Sequence, residues 1–313
     1  MKSKKLKYAR DTLLIIIFRI VSLVVFFVPR RLGCAVFGSA ARLGYYLLPR
    51  QRKILFMNLD IVYGDEKTNK EKKTIALENF RNYGINAFEF IKFSFWNSEK
   101  TASLVKETSG LEEMEKAVKQ GRGLIAVTAH MSNWEIQSTY LAHRGFNVGA
   151  IAKKIFDARL DRIVRAAREK SGVKIFDRSA VTRNMIEELK KDMVLGILAD
   201  QDTSVDSVFV PFLGKPAKTP SGPAVLAKKL KLPVMVVSAY RRKDGYYGIA
   251  AKGPFGAEEK TIEEIAVLYN DTLSKMILER PEQWVWLHRR FRMTEELKYS
   301  ARERTGRAKE GMK

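Results

Sequence analysis

The chain has 313 residues, and its 57 lysines and arginines against 35 aspartates and glutamates give a formal net charge of +22. Such a charge favours an anionic partner; nucleic acid, an anionic membrane and an acidic carrier protein all meet that condition. The single cysteine, Cys34, excludes an internal disulfide framework and a zinc site built from CxxC pairs. The length fits one large α/β domain with a small attachment.

Residues 1–28 combine a basic start with an apolar run, LLIIIFRIVSLVVFFV over residues 13–28. This run is shorter than the roughly 20 residues that an ordinary membrane-spanning helix needs. Arg19 within it would cost on the order of 3 kcal/mol at the centre of a bilayer. The pattern therefore predicts a helix that lies in one leaflet, with a buried core helix as the alternative.

Residues 32–48 continue the apolar character with small side chains and end in Tyr45 and Tyr46, which suit a membrane interface. The predicted organisation is a membrane-attachment unit of helices over residues 1–50, an α/β domain over residues 51–293 and a mobile polar tail over residues 294–313.

Helical periodicity dominates residues 50–120, and the texture changes after Gly123. Short, apolar, β-rich segments typical of buried strands follow at residues 124–129, 147–152, 173–176, 193–199 and 233–240. Helical patterns occupy residues 133–143, 157–170, 180–191 and 220–230. This alternation predicts an α/β fold with a mostly parallel sheet flanked by helices.

The region after residue 240 makes the predicted sheet mixed. Asp244-Gly245 separates two β-rich segments and is typical of a tight hairpin turn. An amphipathic helix is predicted over residues 261–280, and WVWL at residues 284–287 is predicted as a last strand.

His130 ends the predicted strand at 124–129, at the carboxyl edge where α/β sheets collect reactive groups. Glu135 follows in the first turn of the next helix, where its carboxylate is expected to accept a hydrogen bond from the imidazole and leave the other ring nitrogen as a base. Two readings without catalysis remain open. Ser132 and Glu135 also match a capping box, and His130 also suits a core position.

Other chemistries have less support. No serine lies in a G-x-S-x-G turn and Cys34 is far from any histidine, which disfavours an enzyme-bound acyl intermediate and favours direct attack by an acceptor. The acidic run that begins at Asp200 has Val205 where a calcium loop needs glycine, so no metal is predicted.

The segment HMSNWE at residues 130–135 resembles the H-x4-(D/E) block of the bacterial lipid A biosynthesis acyltransferases, the lauroyl and myristoyl transferases. Further blocks of that family agree in order, at residues 153–168, 177–178, 199–202, 208–227 and 281–291. The likeness covers roughly residues 10–293, and several ordered blocks are far more specific than one motif.

The resemblance implies transfer of a fatty acyl chain from an acyl thioester, on acyl carrier protein or coenzyme A, to a hydroxyl of a lipid A precursor. It implies His130 as general base with Glu135 as its partner, and Arg159 and Asp200 as further catalytic positions. The thioester is a co-substrate, so no cofactor is expected.

Substrate-binding roles are predicted for Asn133, Lys153, Lys154 and Arg178. The cations suit the phosphates of an anionic lipid acceptor or an acidic carrier, although each lysine taken singly also suits a solvated helix face. Donors for the oxyanion of the reaction are expected from Arg159, Arg178 or the amides of residues 131–133.

The expected location is the bacterial inner membrane, with the catalytic domain on the cytoplasmic side. One alternative is an acyltransferase for another glycolipid or a lysophospholipid, although the glycerophosphate type usually has aspartate where this chain has Glu135. A second is a basic noncatalytic protein that binds membrane or nucleic acid. No nucleic-acid partner is expected, because aromatic-basic RNA motifs and a helix-turn-helix signature are missing from the sequence.

Overall fold

The computed structural model describes residues 2–155, 157–178 and 182–292, so the predicted tail at 294–313 lies outside the described residues. The elements before the first central strand are α1 (Lys2–Phe27), α2 (Arg30–Leu47), α3 (Pro49–Tyr63), α4 (Asn69–Ser94), α5 (Ser98–Ala102), β1 (Val105–Ser109) and α6 (Leu111–Lys119). The central elements are β2 (Leu124–Thr128), α7 (Trp134–His143), β3 (Val148–Ala152), α8 (Ala158–Lys170), β4 (Val173–Asp177), α9 (Arg183–Lys191) and β5 (Val194–Leu198). The last are β6 (Ser207–Phe212), β7 (Lys215–Pro220), α10 (Gly222–Leu230), β8 (Val234–Arg241), β9 (Tyr247–Phe255), α11 (Ile262–Glu279) and a 3₁₀ turn (Pro281–Gln283).

The main sheet has the strand order β1-β9-β8-β2-β5-β3-β4. Strands β8, β2, β5, β3 and β4 are parallel to one another, while β9 pairs antiparallel with β8 and parallel with β1. The sheet separates two hydrophobic cores. In β2, Ile125 and Val127 pack into the core on one face of the sheet, and Leu124 and Ala126 pack into the core on the other face. The prediction of a mixed, mostly parallel sheet flanked by helices is confirmed.

The five apolar segments predicted as strands form β2, β3, β4, β5 and β8. Asp244 and Gly245 lie in the turn between β8 and β9, where Gly245 adopts a φ of +83° that favours glycine. The sequence prediction missed β1, whose short and mostly exposed segment carries no clear alternation, and the β6–β7 hairpin.

The prediction of a strand at residues 284–287 is wrong. Trp284 forms only an isolated antiparallel bridge with Met131, and the backbone around it bonds to residues 130–132 instead of to a strand ladder. Trp284 and Trp286 are almost fully buried, which explains the apolar run. A short buried apolar segment does not by itself distinguish a strand from a packed loop.

Helix α2 packs closely on α4 through glycines. A Cβ added to Gly84 of α4 would lie 2.1 Å from the carbonyl oxygen of Phe37, and one added to Gly33 of α2 would lie 2.0 Å from the ring of Phe88. Neither position has room for a side chain, because the α2 backbone lies against Gly84 and the ring of Phe88 lies against Gly33. Residues 30–47 are therefore packed against the same helix that supports the candidate site.

Helix α1 contacts the rest of the chain along a narrow stripe that includes Ile15 and Val25, while most of its large apolar side chains are exposed. The alternative of a buried core helix is therefore wrong for α1. Its carboxyl end is held by Lys92 of α4, whose ammonium donates to the carbonyls of Val25 (2.9 Å) and Phe26 (2.7 Å). Over the described residues, every helix falls short of the length or apolarity that crossing a membrane requires.

Candidate active site

The site lies at the carboxyl edge of two neighbouring strands. β2 and β5 are parallel and in register, with Thr128 opposite Leu198. His130 follows the end of β2 by two residues and Asp200 follows the end of β5 by the same number. The register of the two strands therefore brings an imidazole and a carboxylate together, although they are 70 positions apart in the chain.

Asp200 binds the His130 side chain and backbone at once. Its Oδ1 lies 2.8 Å from Nδ1 of His130, and its Oδ2 accepts from the backbone N–H of His130 at 2.8 Å. The indole Nε1 of Trp284 donates to the same Oδ2, also at 2.8 Å. Nε2 of the imidazole has no hydrogen-bond partner in the described parts of the chain, and the side chain is 21% exposed.

The electrostatics of the pair favour an ionised Asp200. Burial alone lowers the pKa of His130, but the charge and hydrogen bond of Asp200 outweigh burial and raise that pKa above its ordinary value. Burial alone would raise the pKa of Asp200, yet the nearby imidazole and the three hydrogen bonds hold the pKa below its usual range. A carboxylate held in this way fixes the Nδ1–H tautomer, which leaves Nε2 as a proton acceptor.

Glu135 does not make the predicted hydrogen bond to His130. Its carboxylate instead binds Arg168 of α8 through two contacts, Nε to Oε2 at 3.0 Å and Nη2 to Oε1 at 2.5 Å, and accepts from the indole of Trp134. The guanidinium matches both carboxylate oxygens at once, which a single imidazole nitrogen cannot do. Glu135 still acts on His130 at a distance, because its charge contributes to the raised pKa of His130.

The capping-box reading is also wrong, because Asn133 caps α7. The side-chain oxygen of Asn133 accepts from the backbone N–H of Glu135 at 3.2 Å, and its amide donates to Glu89 at 3.2 Å. Ser132 is buried with a φ of 50°, and its hydroxyl has no partner among the described residues. Asn133 is itself buried with both polar ends occupied, so the structure uses this side chain internally.

A polar stripe on α4 supports the loop that carries His130. Asn79 and Asn82 donate to the backbone carbonyls of residues 282–284, and Asn86 donates to the carbonyl of Ser132 at 2.6 Å. The intervals of three and four positions place these side chains on one helix face. One helix therefore holds both the loop after β2 and the segment that contains Trp284.

The stripe ends at Glu89, a fully buried carboxylate. Arg30 of α2 binds it at 2.6 Å, Arg241 of β8 binds it at 3.0 Å, and Tyr247 donates to it. Burial alone would raise the pKa of Glu89, but the two guanidinium groups hold that pKa below its usual range. This ion cluster joins α2, α4 and the strand pair β8–β9 to the loop through Asn133.

Arg159 lies at the start of α8, and in the described part of the chain no hydrogen bond or ion pair joins it to His130. Its guanidinium binds Asp157 at 2.7 Å and donates to the hydroxyl of Thr12 at 3.2 Å, so it links α8 to α1. Among the other expected oxyanion donors, the amide of Met131 donates to Ala129 and the amide of Ser132 to Gln283. These two amides are occupied within the protein.

Lys153, Lys154 and Arg178 follow the ends of β3 and β4, at the same sheet edge as His130. All three side chains are exposed, and Lys154 forms an ion pair with Asp177 at 3.3 Å. Because neighbouring strands are about 4.8 Å apart, the strand order places this cationic edge roughly 10–15 Å from His130. Their predicted role in binding substrate stays a prediction.

Sequence reasoning missed Arg168 and Trp284 as parts of the site. Arg168 was visible only as one of several cations on an amphipathic helix, and Trp284 as one of two tryptophans in an apolar run. The spacing of Asn79, Asn82 and Asn86 was a signal for the support of the site, since three amides on one face of a helix that packs on the core need buried partners.

Comparisons with known proteins show the family of this chain. Residues 1–293 match the family model described as bacterial lipid A biosynthesis acyltransferase. The lipid A biosynthesis lauroyltransferase of Escherichia coli K12 is 27% identical over 266 residues, which is 84% of either chain. The palmitoleoyltransferase of the same organism is 24% identical over 78% of this chain and 80% of its own. The phosphatidylinositol mannoside acyltransferase of Mycobacterium tuberculosis CDC 1551 / Oshkosh is 22% identical over 66% of either chain.

The family match, which covers residues 1–293 of the 313, shows that this chain belongs to the bacterial lipid A biosynthesis acyltransferases.

Proposed function

We propose that the protein moves a fatty acyl chain from an acyl thioester to a hydroxyl of a lipid A precursor, with His130 as general base. The observation that carries the proposal is the His130–Asp200 pair, which leaves Nε2 of the imidazole free, partly exposed and in the correct tautomer to accept a proton. Membership of the family implies a lipid acceptor and an acyl donor. The role of His130 as base and the identity of the acceptor as a lipid A precursor are part of the proposal.

The reaction needs one base and no cofactor. Nε2 of His130 takes the proton of the acceptor hydroxyl while that oxygen attacks the thioester carbonyl carbon. The tetrahedral intermediate collapses as the carbon–sulfur bond breaks, and the imidazolium returns its proton to the departing thiolate. The products are an ester and a free thiol, so atoms and charge balance without an enzyme-bound acyl group.

Asp200 is the partner of His130 in this proposal, in place of Glu135. Its charge stabilises the imidazolium that forms during attack, and its three hydrogen bonds hold it in one orientation. Glu135 neutralises Arg168 beside the imidazole. Without that carboxylate the guanidinium charge would oppose the imidazolium, because Arg168 lowers the pKa of His130.

The cationic edge supports an anionic acceptor. Lys153 and Arg178 lie at the ends of strands beyond β5, so a hydroxyl at His130 and a phosphate at these side chains would be separated by roughly 10–15 Å. That separation suits a large phosphorylated glycolipid better than a lysophospholipid, whose phosphate and hydroxyl are only a few bonds apart. Acyl carrier protein is the proposed donor, with coenzyme A as the alternative, because the chain carries a net charge of +22.

The test uses the purified full chain with acyl carrier protein or coenzyme A thioesters, and with a lipid A precursor, another glycolipid or a lysophospholipid as acceptor. Product mass identifies the acyl transfer. His130→Ala is expected to lower the rate about 10² to 10⁴-fold, while His143→Ala, which changes a histidine in the last turn of α7, keeps it. Transfer by His130→Ala at the wild-type rate would exclude the proposed base.

We also propose that α1 attaches the protein to the cytoplasmic side of the bacterial inner membrane by lying in one leaflet. Leu13, Ile20 and Leu23 are among the nine large apolar side chains that are exposed in residues 10–27 of α1, the part of the helix whose side chains are described. Such an exposed apolar surface is typical of a membrane or partner contact. Thr12 and Ser22 are half-buried, and Thr12 accepts a hydrogen bond from Arg159 of α8. The basic residues of the first turns suit anionic headgroups.

Flotation with anionic liposomes in high salt tests this attachment, since salt removes the electrostatic part of the binding. Leu23 is 62% exposed on α1 and Leu278 is 44% exposed on α11. Leu23→Glu together with Ile20→Glu is expected to release most of the protein, whereas Leu278→Glu keeps it bound. Equal flotation of all three proteins in high salt would rule out α1 as the attachment helix.

A further inference from the structure

Trp284 joins the two sides of the His130–Asp200 pair. Its indole N–H donates to Oδ2 of Asp200 at 2.8 Å, and its backbone forms the bridge to Met131, next to His130. The following residue, Val285, donates its N–H to the carbonyl of His130 at 3.0 Å. The segment therefore holds the histidine through its backbone and the aspartate through a side chain.

The indole is held in one place by packing. Its ring lies 4.7 Å from that of Trp286 and 5.5 Å from that of Phe212, and only 1% of the residue is exposed. Asn79 of α4 binds its backbone carbonyl. A donor fixed to this degree points at Oδ2 in every state of the reaction, so it costs little reorganisation.

The two oxygens of Asp200 have different surroundings. Oδ1 faces the imidazole, while Oδ2 accepts from Trp284 and from the amide of His130. Asp200 is fully buried, so no solvent shares its charge. A neutral donor on Oδ2 stabilises part of that charge and leaves less of it to stabilise an imidazolium.

We propose that Trp284 is a positioning residue of the acyl transfer, whose indole N–H fixes the Asp200 carboxylate and divides its charge between the indole and His130. The link to the reaction rests on the proposed function, but the division of charge does not. Trp284 is buried, so its side chain acts on the reaction through Asp200.

Several charged and titratable groups also face the pair and must stay unchanged in the test. They are Glu135 on α7, Arg168 on α8, Tyr83 on α4, and His288 and Arg290 after the 3₁₀ turn. Asp202 after β5 interacts with His288 and Arg290 and stays unchanged with them. None of them binds Asp200 directly in the described structure, so removal of the indole donor is a local change.

The experiment measures the titration of His130 by NMR in the full chain without substrate, where only three histidines contribute signals. Trp284→Phe is expected to raise the titration midpoint of His130 by about 0.5 to 1 pH unit, because the carboxylate then stabilises the imidazolium more strongly. Trp286→Phe is the matched control. It removes an indole donor that binds the carbonyl of Pro281, at similar burial, and is expected to leave the midpoint unchanged.

A second variant covers the case in which phenylalanine does not fill the space of the indole. Replacing Trp284 by 3-benzothienylalanine keeps the two fused rings and exchanges the N–H for sulfur, so packing is retained while the donor is lost. A midpoint that stays with the Trp286→Phe control, or that moves down, in a folded variant would overturn the proposal.

Kinetics then connect Trp284 to the reaction. In Trp284→Phe, kcat is expected to fall about threefold to tenfold near neutral pH, with the acidic limb moved upward as in the titration, and the KM for the lipid unchanged. A merely structural role would change stability without moving the limb. If no acyl transfer is detected with any acceptor, the proposed function fails while the titration still decides the role of Trp284.

Discussion

Replacing Asp200 by asparagine is expected to invert the tautomer of His130. In the wild type, Oδ2 accepts from two N–H groups, those of the His130 backbone and the Trp284 indole, and Oδ1 faces Nδ1 of the imidazole. An asparagine must place its carbonyl oxygen at the position of Oδ2, because an NH₂ group there would meet two donors. Its NH₂ group then points at Nδ1.

An NH₂ group opposite Nδ1 requires that nitrogen to accept, so the ring proton moves to Nε2. The nitrogen that should take the proton of the acceptor is then already protonated. The analogous change in serine-protease triads lowers kcat about 10⁴-fold through the wrong tautomer, and we expect a loss of about 10³ to 10⁴ here. The pKa of His130 should also fall, because the carboxylate that raises it is gone.

Two measurements check this expectation. ¹⁵N chemical shifts of the imidazole report which nitrogen carries the proton, and they should show Nδ1–H in the wild type and Nε2–H in Asp200→Asn. Steady-state kinetics give the rate loss. Asp202→Asn is the matched control, since Asp202 is a buried aspartate on the same loop whose carboxylate does not bind His130.

The reasoning would be refuted by an Nε2–H tautomer in the wild type, or by an Asp200→Asn variant that keeps its rate within about threefold of the wild type. Melting curves must show that both variants are folded. A loss of about 10²-fold or more in Asp202→Asn would show that the whole loop, and not the contact with His130, is sensitive to charge.

Glu135→Gln leaves the Arg168 cation uncompensated, so we expect a lower pKa of His130 and a rate loss of about 10²-fold. pH–rate profiles measure both effects, and Glu115→Gln, at a separate exposed ion pair, is the control. A near-normal rate in Glu135→Gln would contradict the proposed role of Glu135. The raised pKa of His130 should place the acidic limb of wild-type kcat/KM above the ordinary value of about 6.5. Protonated His130 should contribute its whole share of the free energy of unfolding at pH values below about 6.5, and this share should be lost as the pH rises through the pKa of His130 in the folded protein. Denaturant titrations at several pH values should show that His130→Ala removes this pH dependence. Lys92→Met removes the donor to two carbonyls at the end of α1, so urea unfolding should show a free energy of unfolding that is lower by about 1–3 kcal/mol. An unchanged urea midpoint would contradict this expectation.

Periodicity and composition were sufficient to predict the α/β class. The strands β2, β5 and β8 are buried on both faces, so they appear in the sequence as uninterrupted apolar runs between helical patterns. The same reasoning failed at Trp284, where burial came from packing between a loop and a helix. An apolar run indicates that a segment is buried, but a buried segment can be either a strand or a packed loop.

His130 could be predicted as the central residue because it lies at a strand end, and strand ends in a parallel sheet meet at one edge. Its partner could not, because Glu135 is near in the chain while Asp200 is near in space. The strand order that places β5 beside β2 depends on the packing of the whole sheet, not on any local pattern.

The sequence by itself thus determined the fold class, the position of His130 at the end of a strand and the apolar amino-terminal helix, since each depends on local spacing and hydrophobicity. Only the tertiary structure decided that Asp200 binds His130, that Arg168 takes Glu135, and that Trp284 completes the carboxylate's hydrogen bonds. Pairing between distant polar side chains is settled by strand register and by the geometric match of donor and acceptor, and neither is encoded within a short stretch of chain.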